Sequence, residues 1–226
     1  MGQAPLTGKK IAVLVENMFV PGEIEAYRKD FSDLGAEVHL MSKLWGRRKL
    51  TFVSTVDQPE GDLEETRKRL QFLDVSIDFQ EVDVHDYAAV IMAASFTSVR
   101  LRYFETPEGA SIRPEMARTA PAVRFFADAM RDPRIVKGAL CHGLWLLTPV
   151  PELLAGRKVI CHEVVLADVT NAGAVYTPSP DNVVIDGDLV TGRTWNQVVP
   201  FIKAIVEQIL RLEREPRGEP GWPASL

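Results

Sequence analysis

Cysteine is scarce in this sequence, with two residues in 226. That number is too small for the disulfide framework of a small secreted domain, so we expect a reducing, cytoplasmic location. Long apolar runs are also missing: none approaches the roughly 18–20 residues that a membrane-spanning helix requires. The sequence therefore predicts no membrane partner.

An excess of basic residues is absent as well. The chain has 26 Lys and Arg against 31 Asp and Glu, which gives a net charge of −5. Because binding to a phosphate backbone needs clustered cations, we expect no nucleic-acid partner. The sequence lacks G-x-G-x-x-G and Cys-x-x-Cys, and His162-Glu163 is followed by Leu166 where H-E-x-x-H needs its second histidine. These absences predict no dinucleotide cofactor and no metal, and we expect no cofactor at all.

Short apolar runs alternate with helical segments along the chain. Residues 11–15 and 88–93 are apolar on both faces, which is typical of buried parallel strands. Residues 23–34 and 198 to about 214 are predicted helices. This alternation predicts one α/β domain over residues 1–226, with helices on both faces of a mostly parallel sheet. We expect residues 1–8 and 215–226 to be loosely held tails.

Two longer segments, 44–86 and 95–118, are less regular. In the first, Gly61-Asp62 opens a charged stretch that predicts a helix to about Phe72, and alternation over 75–84 predicts a strand. The second is a polar connection of a length that is often functional. We expect both segments to shape a pocket or a contact between subunits.

Residues 137–145 contain the segment most informative about chemistry. Cys141 follows a predicted strand over 136–140 and precedes a predicted helix within 143–154, with the small residues Ala139 and Gly143 on either side. This spacing predicts a nucleophile elbow, a tight strand-to-helix turn that points its apex side chain into the crevice at the carboxyl ends of the strands. A helix N-terminus at that point would lower the pKa of the thiol and favour the thiolate. His142 could then serve as a base or as an ion-pair partner.

The run Ala139-Leu140-Cys141-His142-Gly143 resembles the Ala-Ile-Cys-His-Gly segment of the DJ-1/PfpI (ThiJ/PfpI) family, which belongs to the glutamine-amidotransferase-like superfamily. Residues 11–38, 156–174 and 186–193 resemble further family segments in the same order. The resemblance implies a flavodoxin-like three-layer sandwich that forms a homodimer or a higher oligomer. It also implies a glutamate, at the start of the first helix, that is protonated and hydrogen-bonded to the cysteine. Glu23, twelve positions before Gly35, matches this residue.

Further candidates surround this pair. His162 ends a predicted strand where some family members place a histidine near the nucleophile. The backbone N–H groups of Ser95 and His142 are candidates for an oxyanion hole, although Ala94-Ser95 stands where PfpI-like members carry two glycines. Glu16 and Trp145 are weaker candidates for the substrate pocket.

Cys161 is expected to be a buried, inert thiol, with a redox pair to Cys141 as the alternative. The resemblance implies a cysteine-dependent enzyme for a small carbonyl or amide substrate, that is, a hydrolase, a deglycase or a glyoxalase III-like enzyme. A redox sensor or stress-protective protein, working through oxidation of Cys141, needs the same residues and stays open. An intracellular PfpI-like peptidase is a further alternative. It is weakened because we find no match for the acidic residue that a neighbouring subunit supplies in such members. A glutamine-amidotransferase-like activity ranks last, because no His-x-Glu arrangement follows His162-Glu163.

Overall fold

A seven-stranded sheet forms the centre of the molecule in the computed structural model, which describes residues 3–56 and 63–214. Its strand order is β10-β11-β7-β6-β1-β2-β5, and its neighbours run parallel except in the β10–β11 hairpin. Two further strand pairs, β3-β4 and β8-β9, lie outside it. The strands are β1 Lys10–Leu14, β2 Glu37–Ser42, β3 Leu50–Val53, β4 Phe72–Val75, β5 Ile77–Asp78, β6 Ala89–Met92, β7 Val136–Leu140, β8 Lys158–Val159, β9 Val175–Tyr176, β10 Val183–Asp186 and β11 Leu189–Gly192.

Helices flank this sheet and confirm the predicted α/β class. They are α1 Pro21–Asp33, α2 Leu63–Lys68, α3 Thr97–Arg100, α4 Pro121–Arg131, α5 Glu163–Asn171 and α6 Val198–Arg214. Helices α1 and α6 pack together, with the rings of Tyr27 and Phe201 6.3 Å apart, whereas α4 and α5 both pack on the turn that follows β7. Gly138 allows α6 to lie close to β7, because a Cβ there would come within 2.9 Å of Ile205 and Phe201.

The central strands are the most deeply buried part of the fold. In β6 every residue is fully buried, as the continuous apolar run predicts. Within the described part of the chain, we find no helix with both the length and the apolar character needed to cross a bilayer.

The predicted loose N-terminal tail is wrong for the residues that are described there. Leu6 is fully buried and its N–H donates to the carbonyl of Leu34 over 2.9 Å. The apolar side chain therefore anchors the segment beneath the end of α1. Residues 1–2 and 215–226 lie outside the described residues, so the expectation for the second tail stays a prediction.

The segment 44–86 differs from its prediction. Gly61-Asp62 lies outside the described residues, α2 ends at Lys68, and Phe72 begins β4 rather than ending a helix. The predicted strand over 75–84 is wrong, because β5 has only two residues and 3₁₀ turns follow it. Asp78 and Asp83 explain the change: their carboxylates accept the N–H groups of Gln80 and His85, which favours a turn over a strand.

The two less regular segments meet at a cavity of about 380 Å³. Trp45 from the first segment and Phe104 from the second both line it, and the rings of Trp45 and Tyr103 lie 5.4 Å apart. The residues that line this cavity do not include Cys141. The segments thus shape a pocket, but one separate from the predicted site.

The helix predicted within residues 143–154 is replaced by two short 3₁₀ helices, Gly143–Leu147 and Pro151–Leu153. Pro149 and Pro151 explain the break, because each lacks an N–H and restricts the residue before it. The consequence for the site is that the elbow leads into one five-residue turn, which carries little of the dipole that an α-helix would supply.

Candidate functional site

Cys141 occupies the apex of a tight turn at the carboxyl end of β7. Its φ is +60°, a left-handed conformation that is strained for a side chain other than glycine and that is often retained at functional sites. Its N–H donates to Gly192 and its carbonyl accepts from His162, so neighbours on both sides hold the apex. Gly143 is needed next to it, because a Cβ there would lie 3.0 Å from the carbonyl oxygen of Met92. The crowding inferred from the small flanking residues is therefore real.

Three backbone N–H groups are directed at the sulfur of Cys141. They belong to Ser95, His142 and Trp195, and each lowers the pKa of the thiol in part. Ser95 itself has a φ of +66°, at the turn that follows β6. A negative charge that forms near the sulfur would thus have three backbone donors close to it.

Glu23 lies in the first turn of α1 and is fully buried. The N–H of Ala94 donates to its two carboxylate oxygens at 2.9 and 3.0 Å, and the hydroxyl of Tyr27 donates to Oε1 at 2.8 Å. Burial raises the pKa of Glu23 from 4.5 to about 7, and these two donors limit the rise. Near pH 7 the group can therefore both take up and release a proton.

The expected hydrogen bond between Glu23 and the cysteine is not present among the described residues. The bonds of this carboxyl go to Ala94 and Tyr27, and its relation to Cys141 is electrostatic. Glu23 therefore acts on the sulfur through its negative charge whenever the carboxyl is ionised.

The expected low pKa of Cys141 is also corrected. Burial, with the charge of Glu23 as a further cause, raises the pKa of this thiol from 9.0 to about 11. The backbone donors oppose the rise without cancelling it, and the short turn after the elbow supplies too weak a dipole. At neutral pH the resting side chain is therefore a thiol, which needs a base before it can attack.

His142 is buried, with 7% of its surface exposed, and it lies between aromatic rings. The rings of Phe96 and Trp145 are 5.0 and 6.1 Å away. Neither ring nitrogen has a hydrogen bond, although the Ser95 backbone lies near enough to affect the ring. Burial, with His162 as a second cause, lowers the pKa of His142 from 6.5 to about 4, so the ring is neutral at physiological pH.

His162 stands at the N-cap of α5. Its Nδ1 accepts from the N–H of Val164 at 3.1 Å, and its ring lies edge-on to that of His142 with centroids 4.8 Å apart. A ligand atom from each of Cys141, His142 and His162 lies within 4.8 Å of the other two. Residues twenty positions apart in sequence thus share one site.

The remaining candidates lie in different surroundings. Trp145 contributes to the wall of the site, and its indole N–H donates to Asp168 over 2.8 Å. Glu16 accepts from the backbone and side-chain N–H groups of Asn17, and burial raises its pKa. These bonds tie Glu16 to its neighbour, and its place in the substrate pocket stays a prediction.

Cys161 is buried and free, and burial raises the pKa of its thiol to about 12. Among the described residues, no backbone N–H group opposes this rise, so Cys161 lacks the donors that surround the sulfur of Cys141. The inert interpretation is the one that its surroundings favour.

Sequence reasoning missed several groups that hold the site together. Tyr27 carried a signal, since it lies four residues after Glu23 on the same helix face. The N–H groups of Ala94 and Trp195 carried none, because a backbone donor has no side-chain pattern. Phe96, which packs against His142, was also missed.

Comparison with protein families finds that residues 107–208 match the model of the DJ-1/PfpI family. This range includes Cys141, His142 and His162, and it lies after Glu23. General stress protein 18 of Bacillus subtilis is 29% identical over 194 residues, which are 86% of this chain and 94% of that protein. Protein/nucleic acid deglycase 2 of Escherichia coli is 30% identical over 195 residues, 85% of this chain and 93% of that protein.

Solved structures share the fold at lower sequence identity. A two-domain protein from Anabaena variabilis, with a DJ-1/ThiJ/PfpI-like and a ferritin-like domain, is 22% identical with a TM-score of 0.69. That match covers 89% of this chain and 48% of the Anabaena protein. DJ-1 of Schizosaccharomyces pombe is 13% identical with a TM-score of 0.63, over 93% of this chain and all of that one.

Proposed function

This chain belongs to the DJ-1/PfpI family, and we propose that it is a cysteine-dependent enzyme that acts on a small carbonyl compound without a metal or organic cofactor. The observation that supports this most is the pairing of Cys141 with Glu23: a strained apex thiol faces a buried carboxyl whose pKa is about 7. Pairs of titratable groups with shifted pKa values are typical of catalytic sites.

The reaction begins with a thiol that lacks its own acidity. As the sulfur of Cys141 approaches a carbonyl carbon, its proton passes to the carboxylate of Glu23 and a carbon–sulfur bond forms. The carbon–oxygen double bond becomes a single bond, and its electron pair moves to oxygen. The N–H groups of Ser95, His142 and Trp195 stabilise that oxygen. Protonated Glu23 then donates that proton to the same oxygen, which gives a neutral thiohemiacetal and restores the carboxylate.

Two histidines, the buried His142 and the partly exposed His162, lie beside the sulfur of Cys141. His142 cannot donate as an imidazolium at neutral pH, because its pKa is lowered to about 4. His162 uses Nδ1 as a helix cap, which leaves Nε2 to carry the proton of the neutral ring and to donate toward the substrate. We propose that His162 orients the substrate and that Glu23 moves the proton.

A small substrate suits the closed surroundings of the sulfur. Cys141 is only 7% exposed, which leaves little room for a peptide chain in an extended conformation. The Escherichia coli relative is named a deglycase, and a 2-oxoaldehyde or its adduct carries the carbonyl that the proposed reaction needs. The net charge of −5 favours such a compound over an intact nucleic acid.

We propose that the chain forms a homodimer or a higher oligomer, as the family resemblance implies. The low cysteine content favours a cytoplasmic site of action. Light scattering of the purified chain tests the oligomer directly.

Methylglyoxal consumption tests the enzyme. We expect turnover by the purified chain, a loss of about 1,000-fold or more in Cys141→Ser, and a loss of about 100-fold in Glu23→Gln. Cys161→Ser is the matched control, because it changes the other buried cysteine and should keep turnover. Equal turnover in Cys141→Ser and the parent would rule out the proposed nucleophile.

The redox-sensor alternative makes a different prediction. The Bacillus subtilis relative is named a general stress protein, but a thiol with a raised pKa reacts slowly with peroxide because the thiolate is the reactive form. We expect peroxide to oxidise Cys141 more slowly than it oxidises a free cysteine. Rapid oxidation with no turnover of any 2-oxoaldehyde, glycated compound or small amide would favour the sensor.

A further inference from the structure

Three potential metal ligands converge at the carboxyl end of β7. Cys141, His142 and His162 each offer an atom within 4.8 Å of the other two, the one such cluster of cysteine, histidine and acidic side chains in residues 3–56 and 63–214. We propose that these side chains bind one Zn²⁺ ion reversibly, and that the bound ion blocks the nucleophile. The second clause rests on the proposed function, whereas the first does not.

His142 is the observation that points to a ligand. Its ring is 7% exposed, yet Nδ1 and Nε2 both lack hydrogen-bond partners. Leaving a buried polar group unsatisfied is unfavourable, because the group gives up its bonds to water, so such groups usually have a partner. A cation bound at either nitrogen would satisfy it.

The spacing fits a small cation after a modest adjustment. Zinc binds thiolate sulfur at about 2.3 Å and imidazole nitrogen at about 2.0 Å, so ligand atoms around it lie roughly 3.3–3.8 Å apart. Atoms within 4.8 Å of one another must therefore close by about 1 Å. His142 has no hydrogen bond to break in doing so, and His162 is partly exposed at the edge of the site.

His162 needs one exchange of partners. Its Nδ1 now accepts from Val164, which leaves the proton on Nε2. When Nε2 binds the ion, that proton is lost and Nδ1 carries one instead. The carboxylate of Glu163, 3.7 Å from Nδ1, is placed to accept a hydrogen bond from the new Nδ1–H group. A carboxylate behind a ligating histidine is a common arrangement in zinc sites.

The ligand set favours a transition-metal ion such as zinc. One thiolate and two imidazoles suit Zn²⁺, whereas magnesium and calcium require oxygen ligands. Binding forms a zinc–sulfur bond and releases the proton of the thiol to solvent, so no oxidant or reductant is needed. The nearby carboxylate of Glu23, which is in electrostatic contact with Cys141, offsets the remaining positive charge. Because the fold brings the three ligands together, no metal-binding motif in the sequence predicts the site.

Competition between the purified full chain and a chromophoric zinc chelator tests the site. We expect one equivalent of Zn²⁺ per chain, and a loss of affinity of roughly 100-fold or more in Cys141→Ser, His142→Gln and His162→Gln, beyond the 10–100-fold typical of outer-shell changes. Glu163→Gln should lose about tenfold. Cys161→Ser, His39→Gln and His85→Gln are the matched controls and should bind as the parent does. Cobalt should give a sulfur-to-metal charge-transfer band that Cys141→Ser lacks, whereas Mg²⁺ should not compete.

Protection of Cys141 from iodoacetamide by Zn²⁺ separates this inference from the enzymatic one. Protection in Cys161→Ser, where Cys141 is the one remaining cysteine, supports the site even if no carbonyl substrate is ever turned over. Zinc bound equally well by Cys141→Ser, lost in a control histidine variant, or not held against the chelator by the parent would each overturn the inference.

Discussion

Tyr27 donates its hydroxyl proton to Oε1 of Glu23 over 2.8 Å, one turn along α1, and both side chains are fully buried. This bond favours the ionised carboxyl and limits the rise of the pKa of Glu23, which is otherwise driven by burial. Tyr27 is thus a positioning residue that adjusts the proposed base without touching the sulfur.

Tyr27→Phe should raise the pKa of Glu23 above about 7. A lost hydrogen bond to a charged group is worth about 1.5 kcal/mol, or roughly one pKa unit. Because the ionised carboxyl is the base, the rising limb of the plot of kcat/KM against pH should shift to higher pH. Tyr87→Phe is the matched control, since that hydroxyl bonds to His39 instead. An unmoved limb in Tyr27→Phe would contradict the assignment.

Glu23 should make stability depend on pH. Its folded pKa of about 7 exceeds the ordinary 4.5, so the folded state holds a proton that the unfolded state has released. The stabilisation is therefore fully present below pH 4.5 and is lost as pH rises through 7. The shift corresponds to about 3 kcal/mol.

Urea unfolding of the parent and of Glu23→Gln at several pH values measures this effect. The free energy of unfolding of the parent, relative to that of Glu23→Gln, should fall by about 3 kcal/mol between pH 4.5 and pH 8, because glutamine does not titrate. If the free energy of unfolding depends on pH in the same way in both proteins, Glu23 keeps an ordinary pKa in the folded protein.

His162 combines two roles that a pair of substitutions can separate. His162→Ala should lose both the imidazole and the cap on α5, with a stability loss of about 1 kcal/mol. His162→Asn should keep a capping oxygen and most of the stability, yet lose activity to the same extent. If asparagine restores activity along with stability, the role of the ring is structural.

Gly143 and Gly138 test the crowding at the elbow. A Cβ at Gly143 would meet backbone, the carbonyl of Met92 at 3.0 Å, whereas one at Gly138 would meet the side chains of Ile205 and Phe201. Both alanine variants should lose about 1–3 kcal/mol in chemical denaturation. Only Gly143→Ala should also lose about tenfold or more in activity per folded molecule, because it displaces the sulfur. Equal losses of activity would contradict this geometry.

The strands and the elbow were predictable because their signals are local. Apolar runs such as residues 88–93 have one common explanation in an α/β protein, and small residues on both sides of Cys141 indicate a tight turn. The family resemblance added Glu23 and His162, which no local pattern would have joined to Cys141.

The electrostatics of the site were not predictable from the sequence. The direction of the pKa shift at Cys141 depends on burial and on the distance to Glu23, and both are properties of the folded chain. The helix expected after the elbow suggested the opposite direction, and two prolines replaced it with short turns. The unpartnered nitrogens of His142 likewise arise only when Phe96, Trp145 and His162 surround its ring in the folded chain.

Titration of the Cys141 thiol by its ultraviolet thiolate absorbance, in the Cys161→Ser background, measures the resting state on which the proposed chemistry depends. We expect the thiol to remain mostly protonated at pH 9, in keeping with a pKa of about 11, and to become more acidic in Glu23→Gln because the facing charge is gone, even as turnover falls. An ionisation below pH 7, or a rise of the thiol pKa in Glu23→Gln, would contradict this, because Glu23 would then be a proton donor that stabilises a resting thiolate.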